Sequence, residues 1–248
     1  MGLAGVKIVL VEPAGPLNLG SIARVMKNFG CNDLVLVNPQ CDRSSPEALK
    51  MAVHAKEILT SAVIEDTLIA ALQGCVRVIA TVGRDYGRDR PLENPRIALP
   101  WLLENPTEPT AIIFGREDRG LTNEELNYAH RLVYIPTNPD YPSLNLATAV
   151  SLCCYELSQS AATFSSKNLS TPEIAPVDVV ETYYQELESL LLAIGYLYPH
   201  TAASRMQKFR HLYNRAHLQT TEVSMLRGLL RQVEWAISHQ HHGNIQDG

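Results

Sequence analysis

The sequence has few cysteines and no long apolar run. These two features argue against a disulfide-stabilised protein and against a membrane-spanning one. Its apolar stretches, such as the one that ends at Leu34–Val37, fall far short of the roughly 20 residues that a membrane-spanning helix needs. Lys7 is the only basic residue of the N-terminal segment and accompanies a short apolar strand, which is not the layout of a signal peptide. The five cysteines are scattered, with Cys153 and Cys154 adjacent, so neither a disulfide framework nor a C-x₂-C zinc site is expected. These features predict a cytoplasmic protein with no membrane partner and no metal.

The chain also lacks an excess of positive charge, which at first sight counts against a nucleic-acid partner. Lys and Arg number 21 against 26 Asp and Glu, a formal net charge of -5, whereas phosphate binding favours a basic surface. The distribution matters more, because residues 205–231 hold six basic side chains and one acid, Glu222. Several of the basic residues can share one helix face and bind phosphate, although a solvated face is the alternative. The four that begin this segment are Arg205, Lys208, Arg210 and Arg215.

Strands and helices alternate along the first part of the chain, which predicts an α/β fold with a parallel sheet and helices on both faces. Short β-rich apolar runs are bounded by turn-forming residues and separated by segments with helical spacing. We expect strands at residues 6–11, 34–37, 76–81, 110–114 and 132–135. Helices are expected at residues 19–29, 46–55, 66–73 and 146–159, and from Thr122, where Thr122 and Glu125 form a capping box.

A stretch rich in Ser, Thr and Ala, with two prolines, interrupts the alternation. We therefore predict an α/β domain over residues 1–160, a linker at 161–176 and a small all-α domain at 177–248. Asp178 and Glu181 are expected to cap the first helix of the second domain. Three helices bury little surface alone, so this domain is expected to pack on another domain or subunit.

The first of three distinctive loops follows the first strand, and ligands of parallel sheets bind where strands end. Its sequence, EPAGPLNLGSIAR, contains the turn-formers Pro13, Gly15 and Pro16. Asn18 is either a helix cap or a site residue, and Arg24 is either a site residue or part of a solvated helix face.

The second loop, FGREDRGLT, lacks the residue that would make it a nucleotide-binding P-loop. Gly115 and Gly120 have the spacing of that motif, but Leu121 occupies the position of the essential Lys. No G-x-G-x-x-G follows the first strand either. A nucleotide-dependent oxidoreductase or transferase on an ordinary doubly wound sheet is therefore only an alternative hypothesis. Glu117 lies between two arginines, as part of either a ligand site or an ion-pair network.

The third loop, IPTNPDYPSLNL, is dense in turn-forming residues. Ser143 and Asn145 are both good N-caps for the helix that follows. Three prolines and Tyr141 in so compact a connection favour a shaped binding loop instead.

Taken together and in order, NLGSIAR, IIFGREDRGLT and IPTNPDYPSLNLATAV resemble the three motifs of the SpoU class of SPOUT methyltransferases. The opening VKIVLVEPAGPLNLGSIARVMKNFG, with LVLVNP after it, is most similar to one branch of that class. That branch methylates the ribose 2′-OH of cytidine or uridine at position 32, where the tRNA anticodon loop starts. The resemblance covers residues 6–159 and extends less specifically to RAHLQTTEVSMLRGLLRQVE.

The resemblance implies a C-terminal trefoil knot in the α/β domain, which general rules of chain topology would not predict. It also implies S-adenosyl-L-methionine as cofactor, tRNA as substrate and a homodimer whose active site forms between subunits. A catalytically inactive RNA-binding homologue is the other hypothesis that these motifs leave open.

The resemblance further implies roles for individual residues. The family's conserved arginine matches Arg24, for which we favour oxyanion stabilisation over general-base action, because a guanidinium pKa lies above about 12. Pro142 stands where relatives have Ser, so a hydroxyl role in this loop is left to Ser143. Matching positions that shape the reaction site are Asn18, Glu117, Ser143 and Asn145. The implied cofactor pocket comprises Thr81, Val82, Gly83, Gly115, Ile135, Pro142, Ser143, Leu144 and Asn145. Candidates for tRNA phosphate are Arg84 and Arg116, besides Arg205, Lys208, Arg210 and Arg215.

Overall fold

A computed structural model describes residues 3, 5–83, 90–164 and 174–243 of the chain. The chain divides into two units, Met1–Thr171 and Pro172–Gly248. Within the described residues, no helix is long and apolar enough to cross a membrane.

The first unit contains a parallel sheet of seven strands, which confirms the predicted fold class. The strands are β1 (Val6–Val11), β2 (Leu34–Val37), β3 (Val63–Glu65), β4 (Arg77–Val82), β5 (Leu92–Glu93), β6 (Thr110–Phe114) and β7 (Arg131–Tyr134). Their order across the sheet is β3-β2-β1-β6-β4-β7-β5, and every neighbouring pair is parallel. All residues of β2 and β6 are buried, as expected for parallel strands covered by helices. The trefoil knot stays a prediction.

Helices connect the strands of this unit. They are α1 (Pro16–Phe29), α2 (Pro46–Ala52), α3 (Lys56–Ser61), α4 (Leu68–Ala71), α5 (Pro95–Ala98), a 3₁₀ turn (Leu99–Leu103), α6 (Asn123–Leu126) and α7 (Leu146–Phe164). Pro16 begins α1, where its missing N–H costs nothing, and Gly30 ends it with φ 76°. The capping box of Thr122 and Glu125 is confirmed.

Several elements differ from the sequence expectation. The helix expected over residues 46–55 ends at Ala52, because Val53 takes a left-handed backbone with φ 54°. A separate helix, α3, follows, and β3, β5 and α5 were not predicted. These elements are two to six residues long, too short to show a periodic pattern. Helix α7 extends to Phe164, beyond the residue 161 at which the linker was expected to begin.

The second unit is helical and has a hydrophobic core of its own. Its helices are α8 (Val177–Ala193), α9 (Ala202–Ala216) and α10 (Thr220–Gly243). Tyr183, Met206 and Val223, one from each helix, are at most 2% exposed and lie in that core. The expected capping pair of Asp178 and Glu181 is wrong: the helix is capped at Pro176 without a side-chain hydrogen bond.

Candidate functional site

Three loops meet at the carboxyl ends of β6, β4 and β7, which are neighbours in the sheet. They surround a cavity of about 290 Å³. Its walls combine apolar side chains with the backbone of the glycine-containing loops. The lining residues are Thr81, Val82, Gly83, Phe114, Gly115, Arg116, Glu117, Asp118, Arg119, Gly120, Ile135, Pro142, Ser143, Leu144, Leu146 and Ala149.

Glu117 ties the loop after β6 to the loop after β1. Its Oε2 accepts a hydrogen bond from the Ala14 amide at 3.0 Å. Its Oε1 accepts from the Gly15 amide and from Asn18 Nδ2, each at 3.0 Å. In the described part of the chain Glu117 forms no ion pair, so the flanking arginines do not explain its position.

The carboxylate of Glu117 is held in its ionised form. Burial alone raises its pKa, but the hydrogen bonds from Asn18 and from the backbone amides outweigh burial, and the net pKa is lowered. The cavity therefore carries a fixed negative charge at neutral pH.

A hydrogen-bond chain Glu117–Asn18–Asn145 links the loops that follow β6, β1 and β7. Asn18 accepts from Asn145 Nδ2 at 3.0 Å through its Oδ1, while its amide nitrogen donates to Glu117. Asn145 Oδ1 in turn accepts from the amides of Ala147 and Thr148 and caps α7. The capping alternative is thus correct for Asn145 and wrong for Asn18, since α1 is capped at Gly15.

The loop after β6 is a tight hairpin in which glycine is required. Residues Arg116 and Gly120 form a β-bridge, and the Gly120 amide donates to the Arg116 carbonyl at 2.8 Å. A Cβ on Gly115 would lie 2.2 Å from the carbonyl carbon of Gly120. Gly120 itself has φ 69°, which glycine adopts without steric cost.

Both arginines of the hairpin are engaged with carboxylates. Arg119 contacts Glu12 at 3.0 Å and Glu125 at 3.1 Å, and its hydrogen bond lowers the pKa of Glu12. Arg116 Nε lies 3.0 Å from Asp118 Oδ1, and its Nη1 lies 3.8 Å from Glu12. The cations at the cavity are therefore balanced by acids before any ligand binds.

All the residues assigned to the cofactor except Asn145 line this cavity. Asn145 takes part through its bond to Asn18 instead. Ser143 is exposed at the cavity, and Arg116 lies on its wall. Arg84 lies outside the described residues.

Arg24 is not brought into the cavity of its own subunit. It lies on an exposed face of α1 and, within the described ranges, has no hydrogen bond or ion pair. Leu17, two turns earlier on the same face, is 53% exposed. The adjacent helix α7 also exposes Leu152 and Tyr155, of which the latter packs edge-on against Phe29 of α1.

Similarity to known proteins extends along almost the whole chain. The SpoU rRNA Methylase family model matches residues 5–155, and the model of the TrmJ C-terminal domain matches residues 178–242. This chain belongs to the SpoU methylase family.

Among curated SpoU methylases, the chain resembles the tRNA (cytidine/uridine-2′-O-)-methyltransferase TrmJ of Klebsiella pneumoniae. The two are 40% identical over 238 residues, which is 94% of this chain and 97% of that protein. The crystal structure of TrmJ from Z. mobilis aligns with TM-score 0.83 and 32% identity, over 93% of this chain and all of that one. A structure described as giving insights into 2-OH methylation of C/U34 on tRNA aligns with TM-score 0.52 and 26% identity, over 63% of this chain and 91% of that one.

The basic residues in the helical unit of this SpoU methylase are not equivalent. Arg210 makes a bidentate ion pair with the buried Glu181 and lies over the Tyr184 ring. Its positive charge is therefore neutralised by a partner within the helical unit. This removes Arg210 from the predicted phosphate contacts. Lys208 and Arg215 are exposed, and neither has a polar partner among the described residues. Arg205 is also exposed and donates to the Tyr196 carbonyl at 3.1 Å.

Sequence reasoning missed part of the SpoU methylase cavity wall. Asp118, Arg119 and Gly120 follow Glu117 in the hairpin, and Ala149 lies one turn into α7 after Asn145. The spacing of a turn after a known cap could have identified Ala149. No group of three or more potential metal ligands occurs within the ranges that the structure describes.

Proposed function

We propose that this protein transfers a methyl group from S-adenosyl-L-methionine to a ribose 2′-OH of tRNA. One observation carries the proposal: the second and third SpoU-like loops line a single cavity, and the Glu117–Asn18–Asn145 chain joins the first loop to both of them. The similarity to tRNA 2′-O-methyltransferases extends across both units, which supports tRNA as the substrate. Because tRNA is modified in the cytoplasm, we also infer that the protein acts there.

The cavity fits this cofactor better than a dinucleotide. Val82, Ile135 and Leu144 can cover the faces of an adenine, and the adjacent backbone offers amides and carbonyls to its edge. A dinucleotide site would bind the diphosphate at a glycine fingerprint after the first strand, which this sequence lacks. Arg116 and Arg119 are already paired with acids. When bound, S-adenosyl-L-methionine supplies an electrophilic methyl group and a positive charge that suits a wall containing ionised Glu117.

Arg24 is proposed to act on the ribose rather than on the cofactor. The 2′-OH must lose its proton, here to solvent, as its oxygen accepts the methyl group. Negative charge develops on the oxygen as the proton departs, and a nearby guanidinium stabilises that charge. A guanidinium is a poor base because it stays protonated in proteins. Arg24 therefore orients the substrate and stabilises charge, and Asn18, Glu117 and Asn145 hold the loops in place.

We propose a homodimer in which Arg24 completes the partner's site. Arg24 is exposed on α1 and absent from the cavity of its own subunit. The exposed apolar side chains Leu17, Leu152 and Tyr155 on α1 and α7 provide a surface for a second copy. A dimer through this surface would bring α1 of one subunit to the other.

The decisive test is methyl transfer from labelled S-adenosyl-L-methionine to tRNA transcripts. We propose position 32 as the target, whereas the solved structure described for C/U34 points to a neighbouring alternative. Transcripts with a 2′-deoxy nucleotide at 32 or at 34 separate the two, because only a ribose with its 2′-OH accepts the methyl group.

Loss of transfer with the 2′-deoxy-32 transcript alone supports the proposal. Loss with the 34 transcript alone would move the target to position 34. Absence of transfer to any tRNA, with tRNA binding retained, would instead favour an inactive RNA-binding homologue.

A further inference from the structure

The loop after β7 presents an aromatic side chain to solvent beside the cavity. Tyr141 is 80% exposed, more than any other large apolar residue in the described ranges. The next three residues, Pro142, Ser143 and Leu144, line the cavity. A single exposed apolar side chain is ordinary on a protein surface. Position and rigidity, rather than exposure, distinguish Tyr141.

The turn that carries Tyr141 is held by its own hydrogen bonds. The Tyr141 amide donates to the Asn138 carbonyl at 2.9 Å, and the Asp140 amide donates to Asn138 Oδ1 at 3.0 Å. Thr137 Oγ1 donates to the Pro142 carbonyl at 2.9 Å. Prolines on both sides of Asp140 and Tyr141 restrict the backbone further. Little conformational entropy is lost when such a preorganised ring meets a ligand.

The charge of this loop favours contact with a base over contact with a phosphate. Residues 136–145 contain no Lys or Arg, and their one ionisable acid is Asp140. A phosphate would meet no cation from this segment, whereas an aromatic face stacks on any nucleobase.

We propose that Tyr141 stacks on the base of the nucleotide that is methylated and so holds its ribose at the cavity mouth. This inference rests on the proposed function and identifies the residue that binds the base of the methylated nucleotide. Stacking does not read hydrogen-bonding groups, so it accepts cytidine and uridine alike. Tyr141 is thus a substrate-binding residue and takes no part in the transfer itself.

A two-by-two comparison of enzyme and substrate tests this contact. Full-length wild type and Tyr141→Ala are each given a tRNA transcript with the normal base or an abasic ribose at the target, with saturating S-adenosyl-L-methionine. With the normal base, Tyr141→Ala should lower kcat/KM for tRNA by about 5- to 150-fold, the range expected for one lost stack. The abasic transcript should lower the wild-type value similarly but leave the variant unchanged. Tyr141→Phe should behave as wild type.

Ile97→Ala removes an apolar side chain that is 69% exposed on α5, and it is the matched control. It should leave kcat/KM unchanged for both the normal and the abasic transcript. Calorimetry with S-adenosylhomocysteine should give the same affinity for wild type and Tyr141→Ala. If Tyr141→Ala lowered kcat/KM equally for both transcripts, or weakened cofactor binding, the proposed stacking contact would be overturned. The proposed methyl-transfer function would still stand. Failure of wild type to methylate the normal transcript is a different result and would refute the proposed function itself.

Discussion

The ionised state of Glu117 depends on hydrogen bonds from its neighbours. Glu117→Gln places a side-chain NH₂ among three N–H donors from Ala14, Gly15 and Asn18. We expect the substitution to lower the free energy of unfolding at neutral pH by about 1–2 kcal/mol, allowing for partial solvent screening. Urea unfolding measures this loss. Asp118→Asn, on the same hairpin, is the control and should cost less because Asp118 is largely exposed.

The effect of Glu117→Gln should also depend on pH. The folded-state pKa of Glu117 lies below its ordinary value of about 4.3, so the ionised carboxylate stabilises the fold fully above that value. This contribution is lost as the pH falls through the lowered pKa. The gap in stability between wild type and variant should therefore be widest at neutral pH and close in stronger acid. A gap that is constant from neutral to strongly acidic pH would contradict the ionised state.

Arg24 should behave in the opposite way, with large effects on rate and small effects on stability. It is exposed and, among the described residues, unpaired, so Arg24→Ala removes no hydrogen bond or ion pair within the subunit. Loss of one preorganised charge at a developing oxyanion costs about 3–4 kcal/mol, or on the order of a hundredfold or more in rate. Single-turnover methylation and cofactor calorimetry separate the two effects. Weaker cofactor binding with an unchanged rate would exclude the proposed role.

Helix α9 illustrates why basic residues must be judged by their partners. Lys208 and Arg215 lie on the exposed side, whereas Arg210 is committed to Glu181. Lys208→Gln with Arg215→Gln should weaken tRNA binding and reduce its salt dependence by roughly one unit of log–log slope per lost contact. Lys56→Gln on α3 controls for the loss of a surface charge.

Arg210→Gln should instead destabilise the helical unit, because it leaves the carboxylate of Glu181 buried without its partner. Thermal unfolding of this variant is the measurement. An unchanged salt slope for the Lys208 and Arg215 double variant would mean that the exposed face of α9 is only solvated.

For strands and helices, the sequence predicts the bounds well where burial requires a run of apolar residues. β1, β2 and β6 have the expected bounds, since apolar β-branched residues fill strands that are buried on both faces. β3 fails because two of its three residues are exposed, so no alternation or apolar run marks it.

The candidate site is likewise only partly predictable from the sequence. The resemblance to the SpoU class named eight residues that line one cavity, but no local pattern predicts that Asn18 bonds Glu117, from which it is separated by 99 positions in the chain. The commitment of Arg210 to Glu181 is equally hidden, because helical periodicity does not identify the partner of a charge on a different helix.

The proposed dimer can be tested by mixing two inactive variants and measuring whether methyl-transfer activity returns. Arg24→Ala keeps the cavity, and Leu144→Trp fills it but keeps Arg24. If Arg24 serves the partner's cavity, subunit exchange between these variants restores one of two sites in each mixed dimer. A random 1:1 mixture should then recover about a quarter of wild-type activity. Recovery of none would place Arg24 in its own subunit's site, and each variant incubated alone is the control.

The hydrogen-bond chain through Asn18 also has a consequence for how the protein is made. Its two links join residues 99 and 127 positions apart, so neither can form from a short segment. Chains emerge from the ribosome N-terminal end first, and contacts of such long range close slowly. A nascent chain that has not yet exposed Asn145 has strands but no completed cavity. The enzyme therefore cannot capture its cofactor before its first unit has been made, and a ligand that binds this cavity recognises only chains whose first unit is finished.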